Sequence, residues 1–187
     1  YAPLEIKNSI SGKAVSQFCE DAKGNMWIGT EDGGLNYFNT TDKTFKTLIN
    51  HSMTHGLSYR NVHSLLQDGD NLWIGMFAGG LDVLNTKTGK FRHYTSTTDI
   101  HTLNDDNIFS IYKDLTGTIW VGTIGGLNKY IPETDSFERI GEPLLNTFVY
   151  DIIQDHTGLL WVGSTGRGIF FYTPKTKTWT HFHIMVG

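Results

Sequence analysis

Apolar and polar positions alternate along this chain in short runs, and each run is punctuated by turn residues. The first clear run is Val15-Ser16-Gln17-Phe18-Cys19-Glu20-Asp21, with a β-branched residue six positions before an Asp. The same frame returns at Val62 to Asp68, Ile108 to Asp114 and Val149 to Asp155. A Trp-centred string follows each: Trp27-Ile28-Gly29-Thr30, Trp73-Ile74-Gly75-Met76, Trp120-Val121-Gly122-Thr123 and Trp161-Val162-Gly163-Ser164. Next comes Gly-Gly-Leu at Gly33, Gly79 and Gly125, or Arg167-Gly168-Ile169 in the last copy. Each copy closes on an aromatic residue: Phe45, Phe91, Phe137 or Trp179. The Trp-to-Trp steps are 46, 47 and 41 residues, a regular internal repeat.

Period-two alternation in runs this short predicts strands, and no long stretch shows the 3.6-residue period of a helix. Every repeat parses into four strands: the Val-to-Asp run, the Trp strand, the Gly-Leu strand and the strand with the closing aromatic. Asp21-Ala22-Lys23-Gly24 has the Asp and Gly of a type I turn with a glycine bulge, as do Asp114 to Gly117 and Asp155 to Gly158. Asp68-Gly69-Asp70-Asn71 is one residue shorter, which predicts a tighter hairpin with positive φ. Four-stranded units of about 40–45 residues are propeller blades. The predicted fold is all-β: a β-propeller segment of four four-stranded antiparallel blades, cut from a larger ring of about seven. Blades are expected at about 11–50, 58–96, 104–142 and 146–184, with 1–10 as a possible outer strand of a preceding blade. Alternation places Trp27 and Gly29 on one face, where a large ring beside a bare backbone lets the next blade come close. Each such Trp buries roughly 150–250 Å², worth at most about 4–6 kcal/mol.

The string Asp-x-x-Gly-x-x-Trp-hydrophobic-Gly-Thr, then Gly-Gly-Leu and an aromatic, resembles the two-component regulator propeller repeat. Asp21 to Leu35 is the cleanest copy and Asp114 to Leu127 is close; Met76, Ser164 and Arg167 depart from the pattern. The resemblance runs from about Val15 to Phe182. It implies a periplasmic sensor segment of a hybrid two-component histidine kinase. In such proteins the propellers precede an immunoglobulin-like domain, a transmembrane helix and a kinase. The ligand implied is an oligosaccharide, and contact with the membrane is expected only through downstream segments.

Composition narrows the chemistry. With a formal net charge of -4 and no basic stripe, nothing points to nucleic acid. One cysteine, Cys19, excludes an internal disulfide and does not place the compartment. No cofactor motif is present, and no Gly-x-Ser-x-Gly. Cys19 falls mid-strand, as an inert thiol would. Of eight histidines, His51, His55 and His63 cluster near one connection without metal-ligand spacing. His181 and His183 share one strand face, and His156 sits in a turn. No metal site and no catalytic residue is expected.

A residue that recurs in every blade serves the blade, so the four turn aspartates and the four tryptophans are read as structural. Residues that differ between blades at the ring mouth are the candidates for binding. They are Tyr59, Arg60, Asn61, Asp105, Asp106, Asn107 and Arg167, with Asn146, Phe148, Glu31, Asp32 and Phe77 in the same loops. Tyr59 beside Arg60 offers an aromatic face and a guanidinium fork suited to a sugar or uronic acid. Arg167 stands where other blades have Gly. The expected function is non-enzymatic ligand sensing. The alternatives are a propeller enzyme of the lyase or hydrolase type, in which His63 or Asp151 would line a channel, and a purely structural scaffold. Blade faces at the two ends are expected to support self-association.

Overall fold

The computed structural model describes residues 5–7, 9–48, 56–173 and 175–182, so His51, His55 and His183 lie outside the described residues. Its described elements are strands, in two compact units. The first unit comprises residues through Thr95 together with Asp106–Ile108; the second comprises Ser96–Asp105 and the residues from Phe109 on.

In the first unit, blade one is built from β2 (Val15–Glu20), β3 (Met26–Thr30), β4 (Gly34–Asn39) and β5 (Thr44–Leu48), after β1 (Glu5–Lys7). Blade two contains β6 (Val62–Asp68), β7 (Asn71–Met76), β8 (Leu81–Asn85) and β9 (Phe91–Tyr94). Each blade is an antiparallel meander in sequence order. The expectation that residues 1–10 hold the outer strand of a preceding blade needs correction. β1 pairs antiparallel with β5, Ile6 opposite Lys46, and makes blade one five-stranded. The physical reason is that β5 is an edge strand with unpaired backbone groups within reach of β1.

The predicted turns form. Asp21 Oδ1 accepts the N–H groups of Lys23 (2.8 Å) and Asn25 (2.9 Å), and Gly24 closes the turn at φ 78°. The shorter hairpin of blade two turns through Gly69 at φ 56° between the paired residues Asp68 and Asn71. Blade two packs on blade one through the expected bare backbone. A Cβ on Gly29 would lie 2.8 Å from Val62 Cγ1, so only glycine admits the next blade here. Around that contact Trp27, Leu35, Leu57, Val62 and Leu65 form one buried cluster, with Cys19 half-buried against it.

In the second unit, apart from Ile108, blade three is built from β10 (Ile108–Lys113), β11 (Ile119–Thr123), β12 (Gly126–Ile131) and β13 (Ser136–Arg139). Blade four contains β14 (Val149–Gln154), β15 (Leu160–Ser164), β16 (Gly168–Thr173) and β17 (Thr178–Phe182). The same device recurs: a Cβ on Gly122 would stand 2.5 Å from Val149 Cγ1. Trp120, Leu127, Leu144, Val149, Ile152 and Phe170 close the core.

The turn aspartates do more than turn the chain. In blades three and four the second carboxylate oxygen accepts the indole N–H, at 2.9 Å for Asp114–Trp120 and 2.7 Å for Asp155–Trp161. Asp155 is held below the ordinary carboxylate range by the Thr157 hydroxyl and the Trp161 N–H, with backbone donors adding to them. In blade one the Tyr37 hydroxyl takes this place, 2.8 Å from Asp21 Oδ2, and Trp27 Nε1 meets no acceptor among the described residues. Burial, then the bond to Asp21, push the Tyr37 phenol up to about 12.

Candidate functional site

A second polar device ties each entering loop to its sheet and accounts for several charged residues. The residue after the Gly-Leu pair is a buried Asn36, Asp82 or Asn128. Asn36 Oδ1 accepts from the Ser11 N–H (3.0 Å) and the Thr47 hydroxyl (2.9 Å), and Asn128 Oδ1 accepts from the Asn104 N–H (3.0 Å). In blade two Asp82 accepts from the Ser58 N–H and hydroxyl, both at 2.7 Å, and its Oδ1 is 2.7 Å from His93 Nδ1. Ser58, His93 and Asp82 have the composition of a hydrolase triad but not its geometry. Ser58 Oγ and Asp82 Oδ1 both face Nδ1, and the buried Nε2 meets no partner among the described residues. A triad needs the serine on one nitrogen and the carboxylate on the other. This cluster is therefore a structural tie. Its hydrogen bond to Asp82 raises the His93 pKa above the ordinary histidine value, against a smaller opposing effect of burial.

Blade four has Phe170 at this position, and Arg167 supplies the missing tie. Its guanidinium donates to the Thr147 hydroxyl at 2.6 Å and lies 5.7 Å from the Phe170 ring, which stacks on His181 at 4.0 Å. The departure from glycine at Arg167 and the departure from Asn at Phe170 thus compensate each other.

The remaining sequence candidates fall into both units. Asp105 and Arg167 belong to the second, where Asp105 lies over Gly125. Tyr59, Arg60, Asn61, Asp106 and Asn107 belong to the first, where all but Arg60 contact the β7–β8 loop. The Asn61 carbonyl accepts the Phe77 N–H (2.9 Å), Asn107 Oδ1 accepts the Ala78 N–H (3.0 Å), and the Asp106 carbonyl accepts the Gly80 N–H (2.9 Å). Tyr59 lies against Gly79, where a Cβ would collide with it. The Arg60 carbonyl accepts the Gly34 N–H (2.9 Å), which fixes the loop and leaves the Arg60 side chain exposed.

Reading loops alone underrated the first strands. Their pairing register shifts between Val15 and Gln17, Val62 and Ser64, and Val149 and Asp151. A β-bulge therefore falls on Ser16, His63 and Tyr150, and bulges re-aim side chains. The bulged position differs in every blade, a variation visible in the sequence, but the extra residue is set by pairing. His63 stands 5.8 Å from the Phe77 ring. Burial lowers its pKa below the ordinary histidine value, and the neighbouring Glu31 charge opposes that shift. The first unit thus presents Tyr59 and Phe77, 44% and 38% exposed, with His63 next to Phe77, the Glu31 charge in reach of His63, and the exposed Arg60 next to Tyr59 in the chain. In the second unit Phe109, Phe148 and the bulged Tyr150 form an aromatic trio with ring centroids 4.5–6.0 Å apart. No cluster of three metal-ligating side chains occurs among the described residues.

The family model of the two-component regulator propeller matches residues 9–32 and 143–166, the entering loop through the Trp-Gly strand of blades one and four. Those two segments match the two-component regulator propeller repeat. A search of curated proteins finds no match. Among solved structures it is similar to the extracellular domain of a hybrid two-component system from B. thetaiotaomicron, at 21% identity and TM-score 0.74, covering 90% of this chain and 22% of that one. A second such domain from the same organism matches at 23% identity and TM-score 0.62, covering 97% and 30%. Virginiamycin B lyase from Staphylococcus aureus matches at 16% identity and TM-score 0.68, covering 98% and 60%. These likenesses show the fold, blades of a β-propeller. The repeats here span less than a third of the two extracellular domains. No helix among the described residues is long and apolar enough to cross a membrane.

Proposed function

We propose that these repeats are a ligand-binding segment of a sensor propeller that works outside the cytoplasmic membrane, as part of a hybrid two-component system. The ligand class that fits is an oligosaccharide carrying an acidic group. One observation carries this reading: two exposed aromatic residues stand at the β7–β8 loop of the first unit, Tyr59 against Gly79 and Phe77 5.8 Å from the bulged His63, and the exposed Arg60 follows Tyr59 directly in the chain. Sugar rings stack on aromatic faces, and a guanidinium pairs a carboxylate with two parallel hydrogen bonds. The Asn107 side-chain oxygen and the Asn61 carbonyl accept backbone N–H groups of the loop, so the site is built before ligand arrives. The repeat match and the extracellular two-component neighbours support the sensor role and its location.

The test is titration calorimetry against neutral and uronic-acid oligosaccharides. Arg60→Ala is expected to weaken binding of the acidic ligands about tenfold or more, the value of a lost charged hydrogen bond of about 1.5–3 kcal/mol. The melting temperature should stay unchanged, because the Arg60 carbonyl that ties Gly34 is retained. Equal affinity for wild type and variant would remove the site from this loop.

A second reading is a lyase-type propeller enzyme. It draws on His63, whose pKa burial lowers and which lies within electrostatic reach of Glu31. A neutral imidazole beside a carboxylate is a competent general base. Turnover abolished by His63→Ala in a screen of cyclic and glycosidic substrates would favour this reading over binding alone.

A further inference from the structure

The strand-three tie of blade two differs from its counterparts in holding a group that changes charge near neutral pH. Strand pairing places Thr47 opposite Asn36, His93 opposite Asp82 and Arg139 opposite Asn128. In blade one the network is neutral: Asn36 Oδ1 accepts from the Ser11 N–H, the Ser11 hydroxyl and the Thr47 hydroxyl at 2.9–3.0 Å. In blade three Arg139 keeps its charge at every working pH and donates to the carbonyls of Thr97, Asp99, Thr102 and Leu103. Blade two has Asp82 in place of the Asn and His93 in place of the Thr, and its network is tighter, at 2.6–2.7 Å.

That network grips the start of the segment on which the proposed ligand site is built. Ser58 is followed directly by Tyr59, Arg60 and Asn61. Those three are seated by packing and backbone bonds. Tyr59 lies against Gly79, the Arg60 carbonyl accepts the Gly34 N–H at 2.9 Å, and the Asn61 carbonyl accepts the Phe77 N–H at 2.9 Å. Ser58 is seated by Asp82, which is 0% exposed. Around the His93 ring stand Asp82 from β8, Ser58 from the entering segment and Phe91 from its own strand, so Asp82 is the charged group that faces it among the described residues. His93 Nε2 is buried and meets no partner among the described residues, so its proton is the one that leaves as pH rises, while Nδ1 stays toward Asp82. The loss leaves a buried carboxylate without its cation, which gains by admitting water. Asp82 and His93 are fixed in paired strands, so the partner that yields is the loop residue Ser58.

We infer that His93 is a positioning residue of the ligand segment, a role that rests on the ligand reading of that loop: protonated, it holds Ser58 through Asp82 and so keeps Tyr59 and Arg60 in place for the ligand. The His93 pKa is raised by its bond to Asp82, against a smaller effect of burial. The hold is therefore complete below the unfolded value of about 6.5 and is lost as pH rises through the folded one. His63, at the loop itself, is shifted the other way by burial, so it titrates in a separate, more acid window. By linkage, an acidic ligand on the held segment and a proton on His93 strengthen each other.

The test compares wild type with the double variant Asp82→Asn, His93→Thr, which copies the neutral network of blade one and so fits the fold. Amide hydrogen exchange at pH 6.5 and 8.5, corrected for its intrinsic pH dependence, reads the segment without any ligand. The Gly34 and Phe77 amides report on it, because they donate to Arg60 and Asn61, and the Ser11 amide is the control. In wild type, protection of Gly34 and Phe77 is expected to fall about fivefold or more at pH 8.5 while that of Ser11 holds. In the double variant all three should keep one value. His93→Gln alone keeps Asp82 and removes the charge at every pH, so it should show the wild type's pH 8.5 protection at both values. Calorimetry with trigalacturonate, a uronic-acid trisaccharide, then reads the coupling: wild-type affinity should fall by a similar factor between the two pH values, and the double variant should bind equally at both. Wild-type protection or affinity that is the same at both pH values overturns the inference, as does a double variant that still follows pH. Protection that follows pH in a wild type that does not bind trigalacturonate upholds the positioning and removes the acidic ligand class instead.

Discussion

Replacing Asp82 by Asn tests the strand-three tie, because the protein contains its own controls. Blades one and three already use Asn at this place, so the amide fits the fold. What changes is the partner: Asp82 faces His93 Nδ1 at 2.7 Å, with its side chain 1% exposed. The His93 pKa is raised in the folded protein, first by its bond to Asp82. A raised histidine contributes stability that is complete below its unfolded value of about 6.5 and is lost as pH rises through the folded value. Asp82→Asn should therefore cost most at low pH. A hydrogen bond to a charged group contributes about 1.5–3 kcal/mol and a neutral one about 0.5–1.5, so the expected cost at pH 5.5 is about 1–1.5 kcal/mol. At pH 8.5 the neutral ring can accept from the amide, and the cost should approach zero. In urea the pH 5.5 penalty moves the midpoint by about 0.5 M, taking a slope of about 2–3 kcal/mol per M. The comparison of variant with wild type at each pH cancels the other titrating groups. A penalty equal at both pH values, or larger at pH 8.5, would refute the assignment of a charged Asp82–His93 pair.

Three further outcomes follow from the same geometry. Arg167→Gly restores the residue of the other blades, yet it should destabilise by about 1 kcal/mol, because the hydrogen bond to Thr147 is lost; a thermal melt no lower than wild type would return Arg167 to the list of ligand contacts. Tyr37 should ionise near pH 12 in an ultraviolet titration of the folded protein, and Tyr37→Phe should remove that late component while costing about 1 kcal/mol. Asp155, held low by Thr157 and Trp161, contributes stability above its unfolded value of about 3.9 that disappears as pH falls through its lower folded value; Asp155→Asn should make Trp161 fluorescence less sensitive to pH in that acid range.

The repeat, the four-strand blades, the Asp-to-Gly turns and the glycines beneath Val62 and Val149 were legible in the sequence. Each depends on residues within a few positions of one another or on a spacing repeated four times, and local sterics settle both. Other features required atoms far apart in the chain. The Asp114–Trp120 and Asp155–Trp161 bonds, the exchange of Trp for Tyr37 at Asp21, and the β1–β5 pairing all depend on which strands lie side by side. The same holds for the candidate site. Tyr59, Asn61 and Asn107 were visible as blade-specific loop residues, but their convergence on Phe77, Ala78 and Gly79 is a product of packing. Arg167 stood out for replacing a glycine, and only the fold showed that it replaces an asparagine's work three residues away, at Phe170. The bulges at His63 and Tyr150 were hidden for a related reason. Alternation assigns a face to every residue in a regular strand, whereas a bulge is a mismatch between two strands that neither one contains alone.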